Sequence, residues 1–398
     1  MGRIANRVVR NLGGEGRGAA AVNRGRTIGD AFRSGSNSFD LIRLVAALMV
    51  LVSHSYPLAA SPAGEPFQRY LKHDNGGSLA VAIFFVISGF LVTRSVLERE
   101  TNRYVLARCA RLLPALWVVT ILEVTVVGMV CTTLPIGEYL QAHQTREHLY
   151  NVFVFPIRSV LPGVFADHPN RLVNGSMWTI PVEVACYLAL PFLALAGALR
   201  KYVVLALPVI AFLALWYVVR EGHGWAKPGP YIIQGVPTYP GLRYIVFFVI
   251  GCAMWVHRDD IPLNGGMAFV CVAVLYAGTM GEAKPWLLYL TLPYLVMYAG
   301  LAHPVLTSLR ESVGDLSYGV YLYAFPVQQM LVWRLGVGIG PVTLMLLAAP
   351  IALGLAFLSW HLVEARALEW FRRRNGGPQP ARATAPTPAT EAGIALAD

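Results

Sequence analysis

Three ionisable side chains, Arg43, His54 and Glu183, lie in stretches that are otherwise soluble in lipid. Such groups are costly within a bilayer, so they face a cavity or a partner and mark function. Arg43 and His54 stand eleven residues apart in "FDLIRLVAALMVLVSHSYPL". On a helix that spacing is about 16 Å along the axis and about 20° around it, so one face carries a cation low and an imidazole high. Measured from the outer ends of their spans, His54 and Glu183 lie at depths of about 6 and 10 Å, which allows them to meet. A histidine held by a carboxylate is a general base, because the carboxylate fixes the tautomer and stabilises the imidazolium. Against that chemistry stand plainer roles: His54 bonded to a backbone carbonyl, Glu183 in an interhelical bond, Arg43 reaching the headgroups.

The elements that must position these groups are transmembrane helices. A 398-residue chain with 56% hydrophobic and 14% charged residues, and a mean hydropathy of +0.53, has a membrane composition. Apolar windows of bilayer-spanning length recur near 39–58, 78–97, 113–135, 176–197, 202–219, 240–257, 263–280, 285–302, 316–335 and 341–363. The expected fold is an all-α integral membrane domain of about ten transmembrane helices over 39–370. An even number of crossings puts both termini on one side, and most of the 32 Lys and Arg then fall on the cytoplasmic side.

The net charge of +10 sits at the ends of apolar stretches rather than in a stripe with exposed aromatics, so it is topological and no nucleic acid partner is expected. Residues 1–38, with seven arginines against Glu15 and Asp30, read as a basic cytoplasmic tail, and 371–398 as a disordered cytoplasmic tail. The first apolar run exceeds a signal-peptide core and is kept as a permanent span. Cys109, Cys131, Cys186, Cys252 and Cys271 form no CxxC pair, which argues against a disulfide framework or a metal site.

Four further clusters bear on function. "FFVISGFLVTRSVLERETNRYVLARCARLLPALW" joins the small pair Ser88 and Gly89 to a run of arginines, in which Arg108 and Arg111 share a helix face. With Arg43 they make a site for a polyanionic cofactor at the cytoplasmic mouth, or a simple positive-inside anchor. In "GDLSYGVYLYAFPVQQ", Tyr318, Tyr321 and Gln328 fall on roughly one face, as a cavity lining or an interfacial belt. His361, Glu364 and Arg366 are read as a cytoplasmic edge network. The loop 136–175 holds His143, His148, His168, Asp167, Arg158 and Arg171, as an acceptor-binding lid or a surface connector.

Taken together, these stretches resemble acyltransferase family 3, membrane proteins that O-acylate bacterial surface polysaccharides. "FDLIRLVAALMVLVSHS" is similar to the family's opening Arg-x10-His helix, "FFVISGFLVTRS" to its second-span motif, and "RCARLLPALW" to its arginine-rich third entry. "MWTIPVEVACYLALP" is similar to its Trp and Glu signature, and "LSYGVYLYAFPVQ" with "HLVEARALEW" to its closing pair. The resemblance implies a multi-pass enzyme of the bacterial inner membrane. It moves an acyl group, commonly acetyl, from cytoplasmic acetyl-CoA to a hydroxyl of an extracytoplasmic carbohydrate such as O-antigen or exopolysaccharide. His54 is then catalytic with Arg43 and Glu183; Arg108, Arg111 and Arg43 bind the donor; Tyr318, Tyr321 and Trp178 meet substrate; and no metal is required.

This chain departs from the pattern at Ala324, where many members have a histidine. Many relatives also carry a periplasmic esterase-like domain that is not read here, so a second acyl carrier, where one is needed, is a separate periplasmic partner. Direct transfer is the first mechanism and an acyl-histidine relay the second. A transporter or flippase with an Arg/His/Glu path is the rival class, against which stands the lack of paired broken helices.

Overall fold

The computed structural model describes residues 25–374 apart from 62–63, 72–73, 225–226, 234, 279–283, 306 and 308–311. Positions 1–24 and 375–398 of the two expected tails lie outside the described residues. The principal helices are α1 (Ile28–Arg33), α2 (Phe39–Leu58), α3 (Gly76–Glu98), α4 (Thr101–Leu122), α5 (Ile180–Leu195) and α6 (Ala206–Arg220). They continue with α7 (Thr238–Val256), α8 (Gly265–Gly278), α9 (Lys284–Leu301), α10 (Ser317–Leu335), α11 (Pro341–Ser359) and α12 (Ala365–Arg374). Among the described residues the only strands are Tyr231–Ile233 and Val236–Pro237, which pair with each other.

Every one of the ten apolar windows falls on a helix, and the protein is an all-α membrane protein. Among the described residues, seven helices are long and apolar enough to cross a bilayer. The segments Gly265–Gly278 and Trp286–Leu301 are apolar but shorter. Helix α10 matches the others in length, yet its tyrosines and glutamines lower its hydropathy. It is buried over most of its course, so protein rather than lipid is its solvent.

The spans divide into a centre and a periphery. The spanning window of α7 is 72% buried and that around α6 only 11%, which places α7 in the core and leaves the α6 face for lipid. Exposed Val209, Ile210 and Phe269 on α6 and α8 are suited to acyl chains, which have no driving force against apolar side chains. In the centre, α3 crosses α7 backbone to backbone: a Cβ on Gly89 would run into the Phe248 carbonyl, and one on Gly251 into that of Val86. Gly319 of α10 meets Ala356 of α11 in the same manner. Close approach of this kind needs small residues, because each added methyl holds the backbones apart.

Among the described residues two helices carry π turns, Glu123–Gly128 after α4 and Trp360–Glu364 between α11 and α12. A π turn inserts one residue and rotates the remainder of the helix about its axis. Each of these turns contains a carboxylate that is almost wholly buried, Glu123 and Glu364. At the N-terminal end, α1 opens with a capping box between Thr27 and Asp30. Bonds from Thr27, then from Arg33, hold the Asp30 carboxyl down to about 2. Phe32 packs edge-on against Phe90 and Trp255, while Arg33 pairs with Asp259 at 2.6 Å. These contacts pin α1 to the ends of α3 and α7.

The glycine crossing generates a stability prediction. Gly89→Leu is expected to cost upwards of about 1–3 kcal/mol, the usual range for overpacking, and to lower the thermal midpoint in detergent. Gly354→Ala, with nothing within 4 Å of the added carbon, serves as the control that leaves the midpoint in place.

Candidate active site

Helix α2 presents Arg43 and His54 to two different cavities. One, named inner after the expected topology, has a volume of about 360 Å³ and is lined by Asp40 and Arg43 of α2, Ser88 of α3, Arg108 and Arg111 of α4, and Glu183 and Tyr187 of α5. Asp315, Tyr318 and Tyr321 close it from the α10 side, and Arg99 and Arg372 stand at its rim. The outer cavity, of about 310 Å³, takes Val50 and His54 from α2, Asp74, Asn75 and Ser78 from the start of α3, and Trp178 and Thr179 from the entry to α5. Arg43 and His54, on one helix, therefore open into different cavities.

The arginines of the inner cavity fall into two groups. Asp315, 2% exposed, accepts from Arg43 at 3.1 Å and from Arg111 at 2.6 Å. The other arm of Arg111 reaches Glu364 at 2.7 Å. The Asp315 carboxylate also accepts from the Ser317 hydroxyl and the Glu364 carboxylate from Ser359, so two cations and two anions balance with their lone pairs engaged. Arg111 is further boxed by the rings of Tyr318 and Trp360. By contrast Arg108, which lies over the Tyr187 ring, has no carboxylate partner among the described residues, and its Nε is buried without a hydrogen bond. Arg99 and Arg372 are likewise without a carboxylate partner there. Arg108 and Arg111 share a helix face and both line the cavity, but they differ in partners: Arg111 is paired with Asp315 and Glu364, and Arg108 with no carboxylate among the described residues.

Glu183 and His54 do not meet. Glu183 accepts from the Tyr187 hydroxyl and from Ser88 at 3.1 Å, and it faces the inner cavity. His54 packs edge-on to Phe325 with ring centroids 5.0 Å apart. Its Nδ1 is buried without a hydrogen-bond partner among the described residues. Their depths are compatible with contact, but depth does not set rotation about a helix axis, and α5 turns Glu183 toward α3. Tyr318 lines the inner cavity, Trp178 the outer one and Tyr321 both. Gln328 lines neither; its amide donates to the Leu51 carbonyl and to Ser55, and so fastens α10 to α2. The expected edge network does not form among the described residues: Glu364 is buried and turns inward to Arg111, whereas His361 is exposed and bonds the Phe357 carbonyl, and Arg366 is exposed.

Several residues of the outer site escape sequence reasoning. Asp74 and Arg243, both 2% exposed, form an ion pair at 2.8 Å, and Ser78 donates to the same carboxylate. Arg243 stands close to the edge of its apolar window, where an arginine passes for an anchoring charge; its position just inside that edge is the available signal. The loop 136–175 is fastened by a second buried group. His148 pairs with Glu123 at 2.9 Å, and the Asn174 amide donates to Glu123 at 2.7 Å and to the Leu322 carbonyl. His168 bonds Gln329. These bonds seat the loop on α10 and on the π turn, and so hold the Gly175–Thr179 wall of the outer cavity.

The acyltransferase domain family matches residues 36–361. Among curated proteins the chain is similar to the O-acetyl transferase of Shigella phage Sf6, at 33% identity over 84% of this chain and 96% of that protein. It is similar to nodulation protein 10 of Rhizobium leguminosarum at 27% identity over 84% of this chain and 93% of the relative. The exopolysaccharide production protein ExoZ of Rhizobium meliloti is 27% identical over 76% of this chain and 90% of its own length. No solved structure matches. With a match that spans the membrane part from the start of α2 to the π turn after α11, the chain belongs to acyltransferase family 3 and is a multi-pass membrane acyltransferase.

Proposed function

We propose that the protein transfers an acetyl group from acetyl-CoA, bound at the cytoplasmic end, to a carbohydrate hydroxyl on the far side of the bacterial inner membrane. The observation that carries this reading is the pair of cavities along α2, one rimmed by uncompensated arginines and the other holding His54. The names of the relatives, an O-acetyl transferase and an exopolysaccharide production protein, support both the group transferred and the acceptor class.

In this reading Arg99, Arg108 and Arg372 hold the phosphates of CoA with charge-assisted bonds. The thioester lies at the far end of the pantetheine arm, so anchoring the phosphates at the inner mouth leaves it free to climb past Ser88, Glu183 and Tyr187. Trp178 offers an aromatic face, and Asn75 and Gln68 offer amides, to a sugar in the outer cavity. His54 accepts the proton of the attacking hydroxyl; the oxygen bonds to the acyl carbon, the carbon–sulfur bond breaks, and the imidazolium returns the proton to the thiolate. Arg43 acts through Asp315, setting the position of α2 rather than touching phosphate. Glu183 orients Tyr187 and Ser88 along the donor's path and has no part in the proton transfer. Where the acceptor is remote, a separate periplasmic protein would complete delivery.

Purified protein in lipid nanodiscs, supplied with radiolabelled acetyl-CoA and surface polysaccharide, tests the assignment. His54→Ala is expected to lower label transfer by about 10²- to 10⁴-fold, the range of general acid–base catalysis, with an unchanged elution profile; transfer at the wild-type rate would remove His54 from the mechanism. Arg108→Ala should raise the KM for acetyl-CoA severalfold while kcat holds, and an effect confined to kcat would count against donor binding. Glu364→Ala behaves differently: breaking a buried pair costs about 3–5 kcal/mol, so the yield of folded protein falls and the KM of the surviving fraction stays near the wild-type value.

A further inference from the structure

Three side chains line both cavities: Val81 of α3, Thr179 at the entry to α5, and Tyr321 of α10. The Tyr321 hydroxyl donates to the Ser176 carbonyl at 2.8 Å and lies 2.6 Å from the Thr179 hydroxyl. Its ring stands edge-on to Phe84 at 5.9 Å. With their hydroxyls turned to each other and to backbone, Tyr321 and Thr179 offer ring and methyl surface to a group entering from below. Val81, buried, adds an apolar side chain at the same boundary between the two cavities.

We infer that Val81, Thr179 and Tyr321 form a septum that separates the two cavities and sets the size of the acyl group transferred. The inference rests on the donor and acceptor reading above. A thioester rising from the arginine cavity and a hydroxyl held beside His54 are adjacent only at this partition, so the acyl carbon must react there. The hydroxyl oxygen bonds that carbon, sulfur departs as thiolate, and the proton passes through His54 to the thiolate, which closes the balance without another reactant. The tail beyond the carbonyl then has only the space bounded by Val81, Phe84 and Tyr321. Neither cavity is small enough to reject a longer chain, so selection falls to the septum.

The test has two arms on the full chain in sealed vesicles. In the first, Ser88→Cys reports the inner cavity and Gln68→Cys the outer, each read by peptide mass spectrometry after treatment with a membrane-impermeant thiol reagent in both vesicle orientations. Each reporter should react from one face only, the two from opposite faces. Adding Tyr321→Ala, or the milder Val81→Ala, should make both reactive from either face. In the second arm, Val81→Ala should raise the ratio of butyryl to acetyl transfer by about tenfold or more, the low end of what a methylene or two is worth in an apolar pocket. Reporters that react from the same face without these substitutions, unchanged accessibility with both, or an unchanged butyryl ratio would overturn the inference. The first arm uses no acyl-CoA, so labelling as expected with no acyl-CoA turnover by any variant would uphold the septum and sink the donor reading.

Discussion

Four charged side chains meet around two carboxylates that are almost wholly removed from water: Arg43 on α2, Arg111 on α4, Asp315 ahead of α10 and Glu364 in the π turn after α11. An isolated charge in such a place is costly, and the cost is offset only when every partner is present with its bonds made. The cluster is neutral as a set and charged if any member is lost. It therefore fixes four segments relative to one another with little tolerance, and the inner cavity is the space those segments enclose. The rest of the site inherits its dimensions from this knot. Asp74 with Arg243 does the same for the outer cavity, and Glu123 with His148 and Asn174 for the loop that leads into its Gly175–Thr179 wall.

The two π turns show how such knots are reached. Glu123 and Glu364 both sit in helices that would otherwise present a strictly apolar face to lipid. One extra residue in the turn shifts the phase of the helix, so a carboxylate that regular α geometry would aim elsewhere swings into the protein. In α11 and α12 the same shift sends the chain from a lipid-facing span into a basic amphipathic end, where Phe371 and Arg372 reach the inner cavity. A local irregularity thus serves packing, electrostatics and access at once.

Much of this was legible in the sequence. The ten apolar windows coincide with helices because bilayer thickness imposes a length that hydropathy records directly. Arg43 and His54 were legible as a pair because both lie on one helix, where 3.6 residues per turn decides which side chains share a face. The hidden part is the partnering between helices. Arg43 and Asp315 are 272 residues apart, Arg111 and Glu364 253, and Arg243 and Asp74 169. No periodicity within a segment encodes such pairings. Glu183 illustrates the limit: its depth was readable, but the direction it faces depends on how α5 rolls against α3, which Ser88, Tyr187 and the Gly89 crossing decide together.

This division of the arginines bears on how the family's motifs are to be read. A run such as "RCARLLPALW" looks like one functional unit, yet its two arginines differ in kind. Arg111 has its charge cancelled by Asp315 and Glu364 and contributes almost no field to the cavity mouth. Arg108, one turn away on the same face, keeps its charge and faces the space through which an anion would come. A field strong enough to hold phosphates needs uncompensated cations, and a fold stable in lipid needs compensated ones. The same helix turn supplies both because only the cation nearer the carboxylates of α10 and the π turn is neutralised, and the placement of those acids determines which arginine keeps its charge uncompensated.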